Sequence, residues 1–237
     1  MITSFSNKSV REVIQLNQKA KERNKQDLFV VEGVKMFLEA PEDRIAGVYI
    51  AQRAEEELRK AYGRKLDKVS CETVADGVFD RMSDTKTPQG ILTLVKQYHY
   101  RLEEILMRKQ ERICFDRSTG KSISIIGGVQ PKDKLYILLE DIQDPGNLGT
   151  IFRTGEAAGA DGIIMSRHTV DIYNPKTIRS TMGSVYRVPF CYTDDICATI
   201  RVLRKNEIRV YAADLNGRKF YDEYDYRGKT AFLIGNE

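Results

Sequence analysis

Residues 135–166 read LYILLEDIQDPGNLGTIFRTGEAAGADGIIMS, and this stretch decides the fold. Leu135-Tyr136-Ile137-Leu138-Leu139 is an unbroken apolar run, the pattern of a strand covered on both faces of a parallel sheet. The turn-forming Asp144-Pro145-Gly146-Asn147 follows, then a helical pattern from about Leu148 to Ala158. Ile163-Ile164-Met165 is the next strand. Asn147 suits the helix N-cap, because its amide oxygen can accept free N–H groups there. Arg153 lies six residues later, less than two turns along the helix. Gly155 and Gly159 are poor helix formers, so close packing is expected at both. By pattern alone the segment is equally a well-capped helix with a surface arginine.

The same alternation continues downstream. Pro175 starts a helix, Val188-Pro189-Phe190 reads as a short strand, and Asp194 or Asp195 caps a helix running to about Lys205. Strands are expected at 209–213 and 230–234. The fold class is α/β: a mostly parallel sheet, whose ligands sit beyond the carboxyl ends of its strands.

Upstream, helical and strand patterns also alternate: a helix over 9–25, strands at 28–31, 47–51, 68–70 and 91–95, and helices between them. Met36 and Phe37 read as core. The expected organisation is a small α/β domain over 1–98, a helix and loose linker over 99–134, and a second α/β domain over 135–237. Gly120-Lys121-Ser122 lacks the spacing of a phosphate loop, and no G-x-G-x-x-G follows any strand. Tyr98 and Tyr100 flank His99, which suits base stacking or a strand end at a domain boundary.

Composition bounds the rest. The chain has 237 residues, 41% hydrophobic and 30% charged, which is ordinary globular usage. No apolar run is long enough to span a bilayer, and the N-terminus has no signal-peptide core. A cytoplasmic protein without a membrane partner is expected. Cys71, Cys114, Cys191 and Cys197 form no C-x-x-C pair and have no histidine at zinc spacing, so no metal site is expected and the thiols read as reduced. The net charge is +4, and residues 1–25 alone carry +4. Lys19, Lys21, Arg23 and Lys25 cluster at the end of that segment. They form either a solvated helix face or a contact for an anionic partner such as nucleic acid.

Four ordered segments resemble one family. DPGNLGTIFRTGEAAGA (144–160) is similar to the first signature motif of the SpoU (TrmH) group of SPOUT RNA methyltransferases. NPKTIRSTMGSVYR (174–187) is similar to that family's P-K-x-x-R-x-S-x-G region, and AFLIGNE (231–237) to the start of its second motif. LFVVEGVKMFL (28–38) and TPQGIL (87–92) resemble its N-terminal substrate-binding domain, related to a ribosomal protein that binds kinked RNA.

The resemblance implies a SPOUT-type parallel-sheet domain with a deep trefoil knot, following a small RNA-binding α/β domain. It implies S-adenosylmethionine as cofactor, a ribose 2′-hydroxyl of ribosomal or transfer RNA as acceptor, with the two-domain form favouring ribosomal RNA, and a homodimer through the C-terminal domain. Residue by residue, Asn147 and Arg153 fall on the motif-one Asn and catalytic Arg, and Glu237 on the motif-two Glu. Gly235, with Leu233 and Ile234, falls on the cofactor-contacting stretch; Ala212, Ala213 and Asp214 are further pocket candidates. Asp214 also suits turn formation. Lys176 and Arg179, three apart on one helical face, suit phosphate contact.

The sequence stops at Glu237, inside the second motif. The family's third motif, which helps wrap the cofactor and passes through the knot, does not follow. On this reading the chain is either truncated or naturally without that tail; in both cases its pocket and knot are expected to be incomplete and its cofactor binding weak or absent. The alternative from another functional class is a non-catalytic RNA-binding relative without a working cofactor site.

Overall fold

The computed structural model describes residues 1–108, 112–116, 121–125, 133–217 and 219–235. The elements run α1 (Lys8–Gln18), α2 (Ala20–Gln26), β1 (Leu28–Glu32), α3 (Val34–Glu39), β2 (Ile45–Ala51), α4 (Glu55–Leu66), β3 (Cys71–Val74), α5 (Asp76–Met82) and β4 (Ile91–Lys96). Then come α6 (Leu102–Met107), β5 (Arg112–Asp116), β6 (Lys121–Ile125), β7 (Lys134–Leu139), α7 (Pro145–Ala157), β8 (Gly162–Ser166) and α8 (Pro175–Thr181). The last are β9 (Phe190–Thr193), α9 (Ile196–Lys205), β10 (Arg209–Ala212) and β11 (Lys229–Ile234). They pack as two compact units. One comprises Met1–Tyr98, Gln143–Thr154 and Val170–Arg187; the other comprises His99–Ile142, Gly155–Thr169 and Val188–Glu237.

The first unit is built on a four-stranded sheet of order β1-β4-β2-β3, in which only the β2–β3 pair is parallel. Side chains alternate across a strand, and both faces are apolar. Tyr49, Leu92 and Leu94 pack with Val10, Val13 and Leu16 of α1 and with Val78, Phe79 and Met82 of α5. Val48, Ile50 and Ile91 pack with Phe37 of α3 and with Leu58 and Leu66 of α4. This period-two division is what a sheet covered on both sides requires.

The helix expected over 9–25 is two helices. Lys19 between them is extended (φ −128°, ψ 114°). The break frees carbonyls at the end of α1, and the Arg23 Nη1 donates to two of them, Leu16 O at 2.7 Å and Asn17 O at 3.3 Å.

The second unit holds a five-stranded, wholly parallel sheet of order β10-β11-β7-β8-β9. The apolar run at 135–139 is its central strand. Tyr136, Leu138, Ile164, Cys191 and Ala231 pack with Ile105 of α6 and Leu203 of α9. Two glycines sit in tight packing. A Cβ on Gly162 would overlap the Ile105 side chain, and one on Gly155 would sit 3.0 Å from Ile137 Cδ1. Gly159 differs from expectation: a Cβ there meets nothing within 4 Å, and its role is the positive φ of +72° that ends the helix.

Other boundaries also move. The strand expected at 68–70 lies at 71–74, and the one expected at 188–190 lies at 190–193. Within 99–134, β5 and β6 pair antiparallel, with Arg112 opposite Ile125, where a loose connection was expected. Gly120 of the Gly-Lys-Ser triplet lies outside the described residues. No helix among the described residues is long and apolar enough to cross a membrane.

Candidate functional site

In the first unit the site is built on the start of α7. Pro145 occupies the first helical position, where its missing N–H costs nothing. Asp144 is therefore the N-cap, in place of the expected Asn147. Its Oδ1 accepts the Asn147 N–H at 2.8 Å, and its carbonyl accepts the Leu148 N–H at 3.1 Å. The Asn147 N–H foremost, and Lys176 beyond it, hold the Asp144 carboxyl below the usual aspartate range. Asn147 sits at the third helical position with its side-chain amide exposed and unbonded among the described residues.

One and a half turns on, Arg153 is also exposed, and its guanidinium has no hydrogen bond or ion pair among the described residues. Both residues therefore offer unengaged polar groups. The helix is seated against α8 through Gly149, where a Cβ would overlap Ser180 Cβ and lie 2.9 Å from Thr177 O.

Helix α8 is capped by Asn174, whose Oδ1 accepts the Lys176 N–H at 2.9 Å. Lys176 reaches Asp144 Oδ2 at 3.7 Å, and Arg179 donates to Asp84 Oδ2 at 2.7 Å. The segment leading into α8 is anchored at Tyr173. Its hydroxyl accepts the Tyr98 N–H at 2.6 Å, and its ring lies 4.7 Å from that of Phe29. Tyr98 is buried, with Arg44 stacked 4.2 Å over its ring, so it is a packing residue.

The basic cluster at the N-terminus divides. Lys19, Lys21 and Lys25 are exposed. Arg23, expected to face an RNA, is 3% exposed, and its guanidinium is spent on Asp171 and on the end of α1. It is a structural residue.

In the second unit a cavity of about 870 Å³ opens at the carboxyl ends of β10 and β11. It gathers Ala212, Ala213, Asp214, Ile234 and Gly235, five of the six residues expected to hold a cofactor. Leu233 is set behind them, opposite Ala212 in the β10–β11 register and packed on the core. The Ala213 N–H donates to Leu233 O at 3.1 Å, which fixes the chain crossing the cavity. Asp214 forms the expected turn, its Oδ1 accepting the Asn216 N–H at 2.8 Å. A Cβ on Gly235 would meet nothing within 4 Å, so there is room at that backbone.

Sequence reading missed the aromatic wall of this cavity. Tyr211 lies edge-on to Tyr224 (5.2 Å) and to Tyr226 (5.0 Å), and Phe232 and Lys219 also line the space. It missed Asp141 too, which follows β7 at φ +55° and whose Oδ1 accepts from the Ser166 hydroxyl at 2.7 Å. A positive φ on a non-glycine at a strand's carboxyl end is a mark of functional loops. Glu237 lies outside the described residues. Among the described residues, no group of three or more His, Cys, Asp or Glu could hold a metal.

With this geometry in place, comparison with known proteins is informative. Residues 134–237 match the SpoU rRNA Methylase family, and residues 7–93 match the MRM3-like substrate binding domain. The 23S rRNA (guanosine(2553)-2′-O)-methyltransferase RlmP of Bacillus subtilis is 26% identical over 236 residues, which cover 100% of this chain and 82% of that protein. The crystal structure of an rRNA methyltransferase from Sinorhizobium meliloti superimposes with a TM-score of 0.76 at 28% identity, covering 100% of this chain and 81% of that one. The AdoMet-bound form of that Sinorhizobium enzyme gives 0.75 at the same identity, with 100% and 80% covered.

Proposed function

We propose, from the match of residues 134–237 to the SpoU rRNA Methylase family, that the chain acts as a member of that family and methylates a ribose 2′-hydroxyl of RNA, using S-adenosylmethionine. One observation carries the reading: the cavity at the ends of β10 and β11 is lined by Ile234 and Gly235 of the cofactor-contacting stretch and by the further pocket candidates Ala212, Ala213 and Asp214. The lining suits that group. Small side chains at Ala212 and Ala213 and the bare backbone of Gly235 give space, and the tyrosines give flat apolar surface for a nucleobase. The Asp214 carboxylate can accept a sugar hydroxyl. S-adenosylmethionine supplies the activated methyl group when bound.

The remaining work falls to Asn147, Arg153 and Glu237. A 2′-hydroxyl is a poor nucleophile until its proton leaves. Arginine side chains stay protonated, so Arg153 is not a base. Its exposed guanidinium can hold a neighbouring phosphate with two hydrogen bonds and stabilise charge growing on the ribose oxygen. The proton then leaves late, to water or to a phosphate oxygen. Asn147, on the same helix, positions the RNA.

Residues 1–98 form the substrate-binding domain, 99–134 the connection and 135–237 the methyltransferase domain. The exposed Lys19, Lys21 and Lys25, with Lys176 and Arg179, meet phosphates. Ribosomal RNA is the favoured substrate; the Bacillus relative is named for that substrate, and so is the family matched over 134–237. The protein acts in the cytoplasm as a homodimer through its C-terminal domain. The test is a map of ribose methylation in ribosomal RNA from cells with and without the gene. One 2′-O-methyl lost on deletion and restored by the gene is expected. A map unchanged by deletion overturns the reading, and RNA binding without any lost methyl would make the chain a non-catalytic relative.

A further inference from the structure

A second cavity, of about 320 Å³, lies wholly within the first unit. That volume falls in the range of about 300–1,000 Å³ usual for small-molecule sites. Its wall combines Lys35 and Met36 of α3, the 85–89 loop with Gln89, and Arg179 and Met182 at the end of α8. The polar groups are ordered but not used up. Gln89 gives its Oε1 to the Val34 N–H (3.1 Å), which leaves its amide N–H groups without a partner among the described residues. Arg179 gives Nη1 to Asp84, leaving the rest of its guanidinium available. Lys35 has one long contact, 3.8 Å to Glu39. One oxygen of the Glu32 carboxylate, Oε1, accepts from the hydroxyls of both Ser83 (2.8 Å) and Thr85 (2.5 Å), which holds the group at the Ser83–Thr85 side of the cavity.

The site thus offers two cations, an amide that can read a base edge, and two methionine side chains. Thioethers adapt to flat aromatic surfaces. Met182 is 45% exposed and held at φ +51°, a conformation that Asn tolerates far better than Met. Continuity with α7 fixes which ligand this is. Arg179 is one turn from Lys176, and Lys176 lies 3.7 Å from Asp144, the cap of the helix that carries Asn147 and Arg153.

We propose that this cavity seats an unpaired nucleotide of the substrate RNA, near in the strand to the methylated one: its base lies against Met36 and Met182 and is read by Gln89, and its phosphate is held by Arg179 and Lys35. The proposal rests on the methyltransferase reading above and adds a place where sequence choice is made.

Methyl-¹³C methionine NMR on the full chain tests it, with 5′-phosphorylated ApA, GpG, CpC and UpU as probes and the buried Met82 and Met165 as internal references. At least one dinucleotide shifts the Met36 and Met182 methyls. Gln89→Ala and Met182→Asn each weaken that binding roughly fivefold, the loss expected for one hydrogen bond or contact surface. Shifts confined to other methionines, affinities unchanged by both substitutions, or equal shifts with inorganic phosphate alone would overturn it. In cells, the double substitution lowers methylation at the target ribose. Full methylation with that variant, alongside loss with Arg153→Ala, would remove the nucleotide site and leave methyl transfer standing. Absence of any gene-dependent methyl would remove both.

Discussion

Arg23 grips Asp171 from 148 positions away in sequence, donating to the same carboxylate oxygen through Nε (3.0 Å) and Nη2 (2.6 Å). The arginine side chain is 4% exposed and the aspartate 27%. Asp171 also accepts the Tyr173 N–H at 2.9 Å, so the pair fixes the segment that feeds α8. Removing one partner strands a buried charge. Asp171→Ala and Arg23→Ala should each cost about 2–4 kcal/mol, near the range for breaking a buried pair and reduced by the partial exposure of Asp171. Urea denaturation of both single variants and the double variant checks this. A double-mutant cycle with no coupling would show the contact to be incidental.

The lysines beside Arg23 behave differently because they face solvent. Replacing Lys19, Lys21 and Lys25 together by Gln should lower the slope of log affinity against log salt by about 2, at roughly 0.7 per contact with single-stranded RNA. Arg23→Gln should leave the slope unchanged and lower stability instead. Filter binding across a salt series separates the two. Equal slopes for the triple variant and the parent would take this helix out of the RNA contact.

Gly149→Ala places a methyl where Ser180 Cβ already is and 2.9 Å from Thr177 O. The backbone of α8 cannot yield like a flexible side chain, so α7 must move away. A loss of about 1–3 kcal/mol is expected, the usual cost of overpacking. Gly159→Ala, with open space but φ +72°, should cost about 1 kcal/mol from backbone strain alone. Adding Ser180→Gly to Gly149→Ala should recover part of the loss. Thermal denaturation of the four chains decides whether packing or conformation is the cause at each site.

These contrasts also explain what could be read in the sequence. The unbroken apolar run 135–139 announced a covered parallel strand, because such a strand needs no polar face. The Asp-Pro-Gly-Asn turn announced a helix start, but the cap was expected at Asn147; the proline's preference for the first helical position moves it to Asp144. Arg23 looked like its lysine neighbours, because its partner is distant in sequence and has no local signature. The aromatic wall of Tyr211, Tyr224 and Tyr226 was hidden similarly: the three come together only when β10 and β11 pair. The strands β5 and β6 were hidden in a stretch of sequence rich in Gly, Ser and Lys. Charge and local period are visible in a chain; long-range partners are not.

Asp144 gives a prediction in pH. Its carboxyl is held below the ordinary value, first by the Asn147 N–H and then by Lys176. A depressed folded value means that the stabilisation is complete above the unfolded aspartate range, near pH 4, and is lost as pH falls through the lower folded value. The Asp144 carboxyl carbon should therefore titrate below the ordinary aspartate range in NMR, with the Asn147 amide shift following the same curve. Asp144→Asn should keep the helix start and abolish that curve, since Asn caps as well as Asp. A midpoint in the ordinary range would mean that the cap does not form in solution.

The sharpest claim concerns the chemistry of Arg153. If its task is two-point contact with a phosphate and stabilisation of the ribose oxygen, charge alone is insufficient. Arg153→Lys keeps the charge and loses the fork, so turnover should fall by about 10²–10³-fold, the scale of losing one charge-stabilising donor group. RNA affinity should change less than threefold. Arg153 is exposed and unpaired among the described residues, so neither substitution should lower the melting temperature, and a loss of activity cannot be ascribed to unfolding. Arg153→Ala should be at least as inactive as Lys. Single-turnover methylation of the target RNA by the three chains, with affinities measured in parallel, checks the order. Near-normal turnover in Arg153→Lys would show that a positive charge suffices and that the two-point geometry is wrong.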